Sequence, residues 1–339
     1  MTLTSQQTIV IQFPSNVSAA RSEFRPLTES LGFTPEKCDE IALVITELAT
    51  NLIKHAHGGT LTLTPLDDAG RLGLQIESSD NGPGIADVKQ ALTDRYSTTG
   101  TRGTGLGAVN RLMDELEITS QLGRGTHIVC RKWVQQQIMS NRPCPLAFGV
   151  STRPRRIGTD NGDAFVVKQW GESALVGVID GLGHGEFAHQ AALVARQYTE
   201  SHYDLPLANI FLGVDRACHS TRGVVMALAR FDWGQGRLTF ASVGNIEARV
   251  FPDAAPYSFA VRRGVIGLNA APKAVVTEHL WPLENILVLH SDGLRTHWSW
   301  KDFPGVADKS AQLLAQELMQ KLAKDEDDAT VLVVKKVIQ

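Results

Sequence analysis

Apolar and polar positions alternate from Thr8 to Phe13 (TIVIQF), with β-branched residues prominent, which predicts a strand. Pro14-Ser15-Asn16 breaks that run, and Ser18 to Leu31 reads as a helix ending at Gly32. Thr34-Pro35-Glu36-Lys37 is a helix start, with Thr34 as N-cap and Pro35 at the first helical position. The helix it opens carries Ile41, Leu43, Val44, Leu48, Leu52 and Ile53 as its apolar face and stops at His57-Gly58-Gly59. Two strands follow, Thr60 to Pro65 and Leu72 to Glu77. A glycine run then leads into a helix at LGAVNRLMDEL, and a strand pair closes the half, Leu116 to Ser120 and Thr126 to Trp133. This order predicts an α/β sandwich, a mostly antiparallel sheet with helices on one side.

Val134 to Pro145 has no periodicity and holds two prolines, so 134–145 is expected to link two domains, 1–133 and 146–339. Beyond it short apolar strands dominate: Ala164 to Lys168, Ala174 to Ile179, Val224 to Phe231, Arg237 to Ser242, Glu247 to Phe251, Ile286 to His290 and Ala329 to Lys335. Two helices interrupt them, Phe187 to Ser201 and Ser310 to Ala323. Many strands with few helices predict a β-sandwich flanked by helices, and so a two-domain α/β chain overall.

Composition narrows the classes. At 339 residues the chain is comfortable for two domains, and a net charge of −3 offers no broad basic field, so no nucleic-acid partner is expected. Cys38, Cys130, Cys144 and Cys218 are scattered without a CxxC pair, which fits a reducing cytosol rather than a zinc site or a disulfide framework. The first residues lack a basic, then apolar, leader, and no run approaches the roughly 20 apolar residues of a membrane helix, so a cytoplasmic protein without a membrane partner is expected.

Glu47, Asn51 and His55 share one face of the long helix, with Lys54 beside it. A carboxylate and a carboxamide one turn apart give oxygen ligands for a hard cation such as Mg2+, although the same pair on its own is also an ordinary solvated stripe. What adds meaning is the order that follows: Asp80-Asn81-Gly82-Pro83-Gly84, then Gly100, Gly103, Gly105 and Gly107 before a helix. Glycines feeding a helix N-terminus make an anion site. A dinucleotide fold does not account for the run, because it is not the first turn after an N-terminal strand.

The order E-x-x-x-N, D-N-G-P-G, G-T-G-L-G resembles the GHKL (Bergerat) ATPase superfamily over about Thr8 to Trp133, and RYSTTGTRGTGLGAVNRLMDELEITSQLGRGTHI is very like the small serine kinases that act on anti-sigma antagonists and stressosome proteins. The resemblance implies ATP and Mg2+ as cofactors, Asn51 as the Mg2+ ligand and Glu47 as general base toward a substrate serine. It implies Asp80 at the adenine amino group, with Gly82 and Gly84 shaping the turn. Gly103, Gly105 and Gly107 would cradle phosphates under a lid at Tyr96 to Arg102, Thr126 would support the adenine end, and Lys54 is a looser match for neutralising a phosphate. A histidine kinase would share the pocket, but only some 35 residues precede the E-x-x-x-N helix, too few for a dimerising helical pair with a phospho-accepting histidine.

In the second half single aspartates sit at the ends of apolar strands: Asp163 in GDAFVV, Asp180 in VIDGLGHG, Asp292 in HSDGL, and Asp327-Asp328 in DDATVLVV. One Asp-Gly is an ordinary turn, but four carboxylates converging would repel unless cations hold them, which points to a two-metal site. These motifs resemble the PPM metal-dependent phosphatases, an α-β-β-α sandwich, and within them bacterial sigma-pathway regulators, over about Leu146 to Lys336. The resemblance implies two Mn2+ or Mg2+ ions on Asp163, Asp180, the Gly181 carbonyl, Asp292 and Asp327, and attack by a metal-bridging water on phosphoserine or phosphothreonine. The family's upstream phosphate-binding arginine has no clear counterpart among Arg153, Arg155 and Arg156. His184 is either a proton donor or a loop hydrogen-bond partner. Asn245 in SVGNIEARV resembles a structural strand turn, and Leu205 to Gly223 is short for a substrate-recruiting flap.

Together the two resemblances imply a kinase fused to its opposing phosphatase, acting on a STAS-domain anti-sigma antagonist or stressosome-type protein in a partner-switching pathway. The alternative is an ATP-tuned binding module, for instance one gripping a sigma factor, with the phosphatase as the sole enzyme.

Overall fold

The computed structural model describes residues 6–68, 71–92, 105–135, 143–155, 160–252, 257–268 and 273–337. The chain folds as two compact units, Met1–Gln136 and Gln137–Gln339.

In the first unit β1 (Gln7–Ile11) runs into α1 (Pro14–Ser30), so Pro14 opens a helix rather than only ending a strand. Its fixed φ suits the first helical position, and Asn16 Oδ1 accepts from the N–H groups of Gln12 and Phe13 at 3.1 and 2.8 Å. The long helix α2 (Pro35–Ala56) starts at Thr34, whose hydroxyl accepts from Lys37 N–H, and ends at His57 in the left-handed conformation (φ 58°). Its buried face is Ile41, Val44, Ile45, Leu48, Ala49 and Leu52, while Leu43 is exposed. Positions 41, 45, 48 and 52 keep the 3.6-residue period, and 43 falls on the opposite side.

The remaining elements are β2 (Gly59–Asp68), β3 (Arg71–Ser79), α3 (Val88–Ala91), α4 (Gly105–Leu112), β4 (Glu115–Gln121) and β5 (Gly125–Trp133). The sheet has the order β1-β2-β3-β5-β4, antiparallel throughout. Leu61, Leu63, Leu74, Ile76, Ile128 and Cys130 point from one face into the core against α1, α2 and α4. Val134 still belongs to this unit: its N–H donates to Leu72 O at 2.9 Å and its side chain packs on the same core.

The second unit is built from β6 (Leu146–Arg153), β7 (Asp163–Trp170), β8 (Ser173–Gly181), α5 (Glu186–Ser201), α6 (Leu207–Ala217), β9 (Val224–Asp232), β10 (Arg237–Val243), β11 (Glu247–Phe251), β12 (Val261–Arg262), β13 (Val275–Leu280), β14 (Ile286–His290), α7 (Ala311–Leu322) and β15 (Ala329–Lys336). One sheet runs β12-β10-β9-β8-β7, with β13 also on β10, and the other runs β11-β14-β15-β6. Side chains such as Val176, Val178, Ala227, Phe240, Leu287, Leu289 and Leu332 fill the space between them. α7 covers the outer face of β6 and β15, and α5 that of β7 and β8, giving the α-β-β-α order. β14 and β15 are therefore buried on both faces and read as continuous apolar runs. Leu205 to Gly223 holds α6, whose Leu207, Ile210, Phe211 and Val214 are buried, and a short turn of 3-10 helix.

Candidate functional site

Each unit gathers its own set of predicted residues. In the first, α2 turns Glu47 and Asn51 to a half-buried flank of its apolar face. The start of α4 comes to that flank. A Cβ built on Gly105 would lie 3.6 Å from Glu47 Oε2 and 3.6 Å from Asn51 Oδ1. The first described residue of α4 thus stands beside a carboxylate and a carboxamide, where a helix N-terminus favours an anion. Gly107 is buried within α4, Lys54 is exposed on the last turn of α2, and Gly103 and the lid at 96–102 lie outside the described residues.

Asp80 leaves the end of β3. Its Oδ1 accepts from Gly82 N–H at 2.8 Å and Thr126 N–H at 3.1 Å, while its own N–H donates to Thr126 O at 3.0 Å. Among the described residues none donates to its second oxygen, which is left for a ligand donor such as an exocyclic amine. Two glycines make this turn possible. A Cβ on Gly82 would meet Ala56 Cβ at 2.7 Å, and one on Gly84 (φ +75°) would meet Gln121 O at 2.4 Å. Gly82 thereby brings the acidic turn against α2 just beyond Asn51. Ser120, which carries no motif, joins the parts: its hydroxyl accepts from Ile85 N–H at 2.8 Å and lies 2.9 Å from Thr126 Oγ1. The free carboxylate oxygen at one end and the half-buried start of α4 at the other fit a nucleotide with its cation.

In the second unit Asp163 and Asp180 are direct cross-strand partners at the ends of β7 and β8. Asp163 is buried, and its Oδ2 accepts from Ser291 Oγ at 2.6 Å. Asp292 Oδ2 accepts from Asn245 Nδ2 at 2.7 Å, and Lys324 Nζ holds the Asp292 carbonyl at 2.6 Å. Asp327 and Asp328 differ. Asp328 is buried and accepts the N–H groups of Arg155 and Gly162 at 2.7 and 3.0 Å, a backbone-organising role, whereas Asp327 is half-buried. The Gly181 position is pressed onto α5, where a Cβ would meet Ala188 O at 2.0 Å.

Burial, reinforced by the neighbouring carboxylates, pushes Asp180 up to about 9 and Asp163 up to about 7. Burial and then Asp292 raise Asp327 as well. The Asp180 side chain accepts no hydrogen bond from any described residue, so nothing there compensates its ionised form. The carboxylates are near enough to repel, yet among the described residues no three His, Cys, Asp or Glu side chains close into a ligand shell. An all-oxygen donor set with an uncompensated buried carboxylate fits hard divalent cations.

His184 is exposed, with no hydrogen bond to a described residue. Asn245, Ser291 and Lys324 are the site's supporting residues. Only Asn245 stood out in the sequence, as a turn. Their role depends on strands that are remote in the chain meeting at one end of the sandwich.

Comparison with known proteins bears on both units. The histidine kinase-like ATPase domain family matches residues 12–132, and the stage II sporulation protein E (SpoIIE) family matches residues 171–337. The second match begins after Asp163, so the place of Asp163 rests on its pairing with Asp180. The chain is 36% identical over 133 residues to the serine/threonine-protein kinase RsbT of Bacillus subtilis (strain 168), covering 39% of this chain and all of RsbT. It is 32% identical over 127 residues to the anti-sigma F factor of Caldanaerobacter subterraneus subsp. tengcongensis, covering 35% of this chain and 86% of that one.

Among solved structures, a chain from work on the bacterial stressosome as a modular system controlling secondary messenger signalling is 29% identical with a TM-score of 0.53, covering 56% of this chain and 99% of that one. RsbX in complex with magnesium is 18% identical with a TM-score of 0.52, covering 59% of this chain and all of that one, a likeness of fold. Through its first unit the chain belongs to the RsbT family of histidine kinase-like ATPase domains, and its second unit, an α-β-β-α sandwich in the same polypeptide, matches the SpoIIE family over residues 171–337.

Proposed function

We propose that the chain is a bifunctional partner-switching regulator. The first unit transfers phosphate from ATP to a serine or threonine of a STAS-type or stressosome-type protein, and the second removes it. The observation that carries the reading is the meeting of Glu47 and Asn51 at Gly105, which puts a carboxylate base and an oxygen ligand beside the helix start suited to phosphates. The likeness to RsbT supports the kinase assignment, and the SpoIIE-type match supports the phosphatase.

In this reading Glu47 takes the proton of the substrate hydroxyl, Asn51 holds Mg2+, and Asp80 with Thr126 orients adenine. Gly103, Gly105 and Gly107 leave room for phosphates, with Lys54 nearby. In the second unit Asp163, Asp180, the Gly181 carbonyl, Asp292 and Asp327 would hold two Mn2+ or Mg2+ ions, which supply charge neutralisation and an activated water. Ser291 and Asn245 fix the orientation of Asp163 and Asp292.

Asn51→Ala should abolish label transfer from ATP to the partner and leave hydrolysis of a phosphoprotein intact, and Asp180→Ala should do the reverse. Phosphate incorporation by Asn51→Ala at the wild-type rate would sink the kinase assignment.

A second reading is favoured by the likeness to anti-sigma F factors: the first unit binds a partner, a sigma factor for instance, and ATP tunes the grip. It predicts nucleotide-dependent affinity with no phosphate transfer, so the same labelling experiment separates the two.

A further inference from the structure

A phosphatase site needs a cation for the phosphoryl oxygens that face away from the metals. Of the upstream arginines, Arg153 is engaged by Lys324 O and lies 3.5 Å from Asp325, and Arg156 is outside the described residues; Arg155 is tied to Asp328 through its backbone N–H only, so its guanidinium is the rival that the test below includes.

Another guanidinium stands beside the loop that follows Asp180. Arg222 is exposed just before β9, and its Cζ lies 5.0 Å from the centroid of the Phe187 ring. A Cβ built on Gly183 (φ +95°) would lie 3.1 Å from Arg222 Nη1, so glycine there keeps the space that the guanidinium uses. Gly183 is the third residue after Asp180, in the loop that carries Gly181. The two segments are fastened together, since Leu182 N–H donates to Gly223 O at 3.0 Å. The Arg222 turn is itself braced: Thr221 Oγ1 donates to Cys218 O at 2.8 Å and accepts Gly223 N–H at 3.0 Å. Among the described residues no carboxylate pairs with Arg222, so an aromatic ring rather than an acid orders it. A guanidinium held by stacking keeps its donors free for an anion and loses little entropy on binding one.

We propose that Arg222 is the phosphate-binding residue of the second unit, contacting the phosphoryl oxygens of a phosphoserine or phosphothreonine substrate from the Gly181–Gly185 side. This rests on the phosphatase reading above. Leu182 and Phe187, 42% and 63% exposed beside it, would lie under the substrate chain that flanks the phosphoresidue.

The test uses the full chain with Mn2+, p-nitrophenyl phosphate as substrate and inorganic phosphate as inhibitor. Arg222→Ala should raise both KM and the phosphate inhibition constant about tenfold or more, the loss expected for one charge-assisted contact, with a smaller fall in kcat. Arg222→Lys should recover part of the loss, Arg155→Ala should change neither constant, and the melting temperatures should match the wild type. KM and inhibition constants within about twofold of wild type for Arg222→Ala, or the same loss in Arg155→Ala alone, would overturn the proposal. Absence of Mn2+-dependent hydrolysis by the wild type would instead overturn the phosphatase reading beneath it.

Discussion

Asp180 is the residue whose environment says most about the second unit. Its folded value, near 9, lies well above that of an exposed carboxylate, and Asp163 is raised to about 7. A carboxyl raised in the folded state favours the protonated form, so its contribution to stability is fully present below about pH 4 and is lost as pH rises through the folded values. Metal-free protein should therefore melt progressively lower between about pH 5 and pH 9, and saturating Mn2+ should flatten that slope, as differential scanning calorimetry with and without chelator would show. Asp180→Asn removes the cost of keeping a buried carboxyl protonated at neutral pH. It should raise the melting temperature of the metal-free form by several degrees while abolishing phosphatase activity; an unchanged melting curve would contradict the account of the site. Asn245, which meets Asp292 at 2.7 Å, acts one step back. Asn245→Ala should weaken Mn2+ affinity about 10–100-fold in a metal titration of activity, with the fold intact.

Among the elements, the contact between α2 and its two glycine-bearing neighbours decides the first site. At Gly105 an added methyl would make ordinary contact with Glu47 and Asn51, whereas at Gly82 it would collide with Ala56 at 2.7 Å. Gly105→Ala should therefore keep the stability of the wild type and raise KM for ATP, while Gly82→Ala should lower both stability and nucleotide binding. Calorimetry beside nucleotide titration distinguishes the two.

The same elements show what a sequence discloses. The Thr34 cap, the strands β11 and β14 and the helices α5 and α7 follow from capping chemistry and apolar runs. β6 was hidden by Gly149, a strand breaker on paper, which the fold needs because a Cβ there would meet Ala311 O at 2.1 Å as α7 crosses. α6 was hidden in the same way by Gly213, whose missing side chain admits Tyr198. β13 is an edge strand with Val275, Val276 and Leu280 exposed, so no buried alternation marks it. The acidic and glycine motifs were legible because ligand chemistry restricts residue type. Ser120, Ser291 and Lys324 were not, because a hydroxyl or an ammonium gains its role only when remote strands meet.

In the whole molecule, the proposed function puts a phosphate-transferring unit and a phosphate-removing unit in one chain. The two sites share no residue, so disabling one should leave the other at the wild-type rate. The central claim is that one polypeptide both adds and removes phosphate on the same kind of partner. The most direct measurement is a pulse-chase: the wild-type chain, a STAS-type protein encoded near it and ATP labelled at the terminal phosphate, followed by ATP depletion and Mn2+. The account predicts label on a serine or threonine of the partner during the pulse and its release as inorganic phosphate in the chase, with Asn51→Ala failing only the first stage and Asp180→Ala only the second. A partner that binds the chain in an ATP-dependent manner yet never acquires label would contradict it.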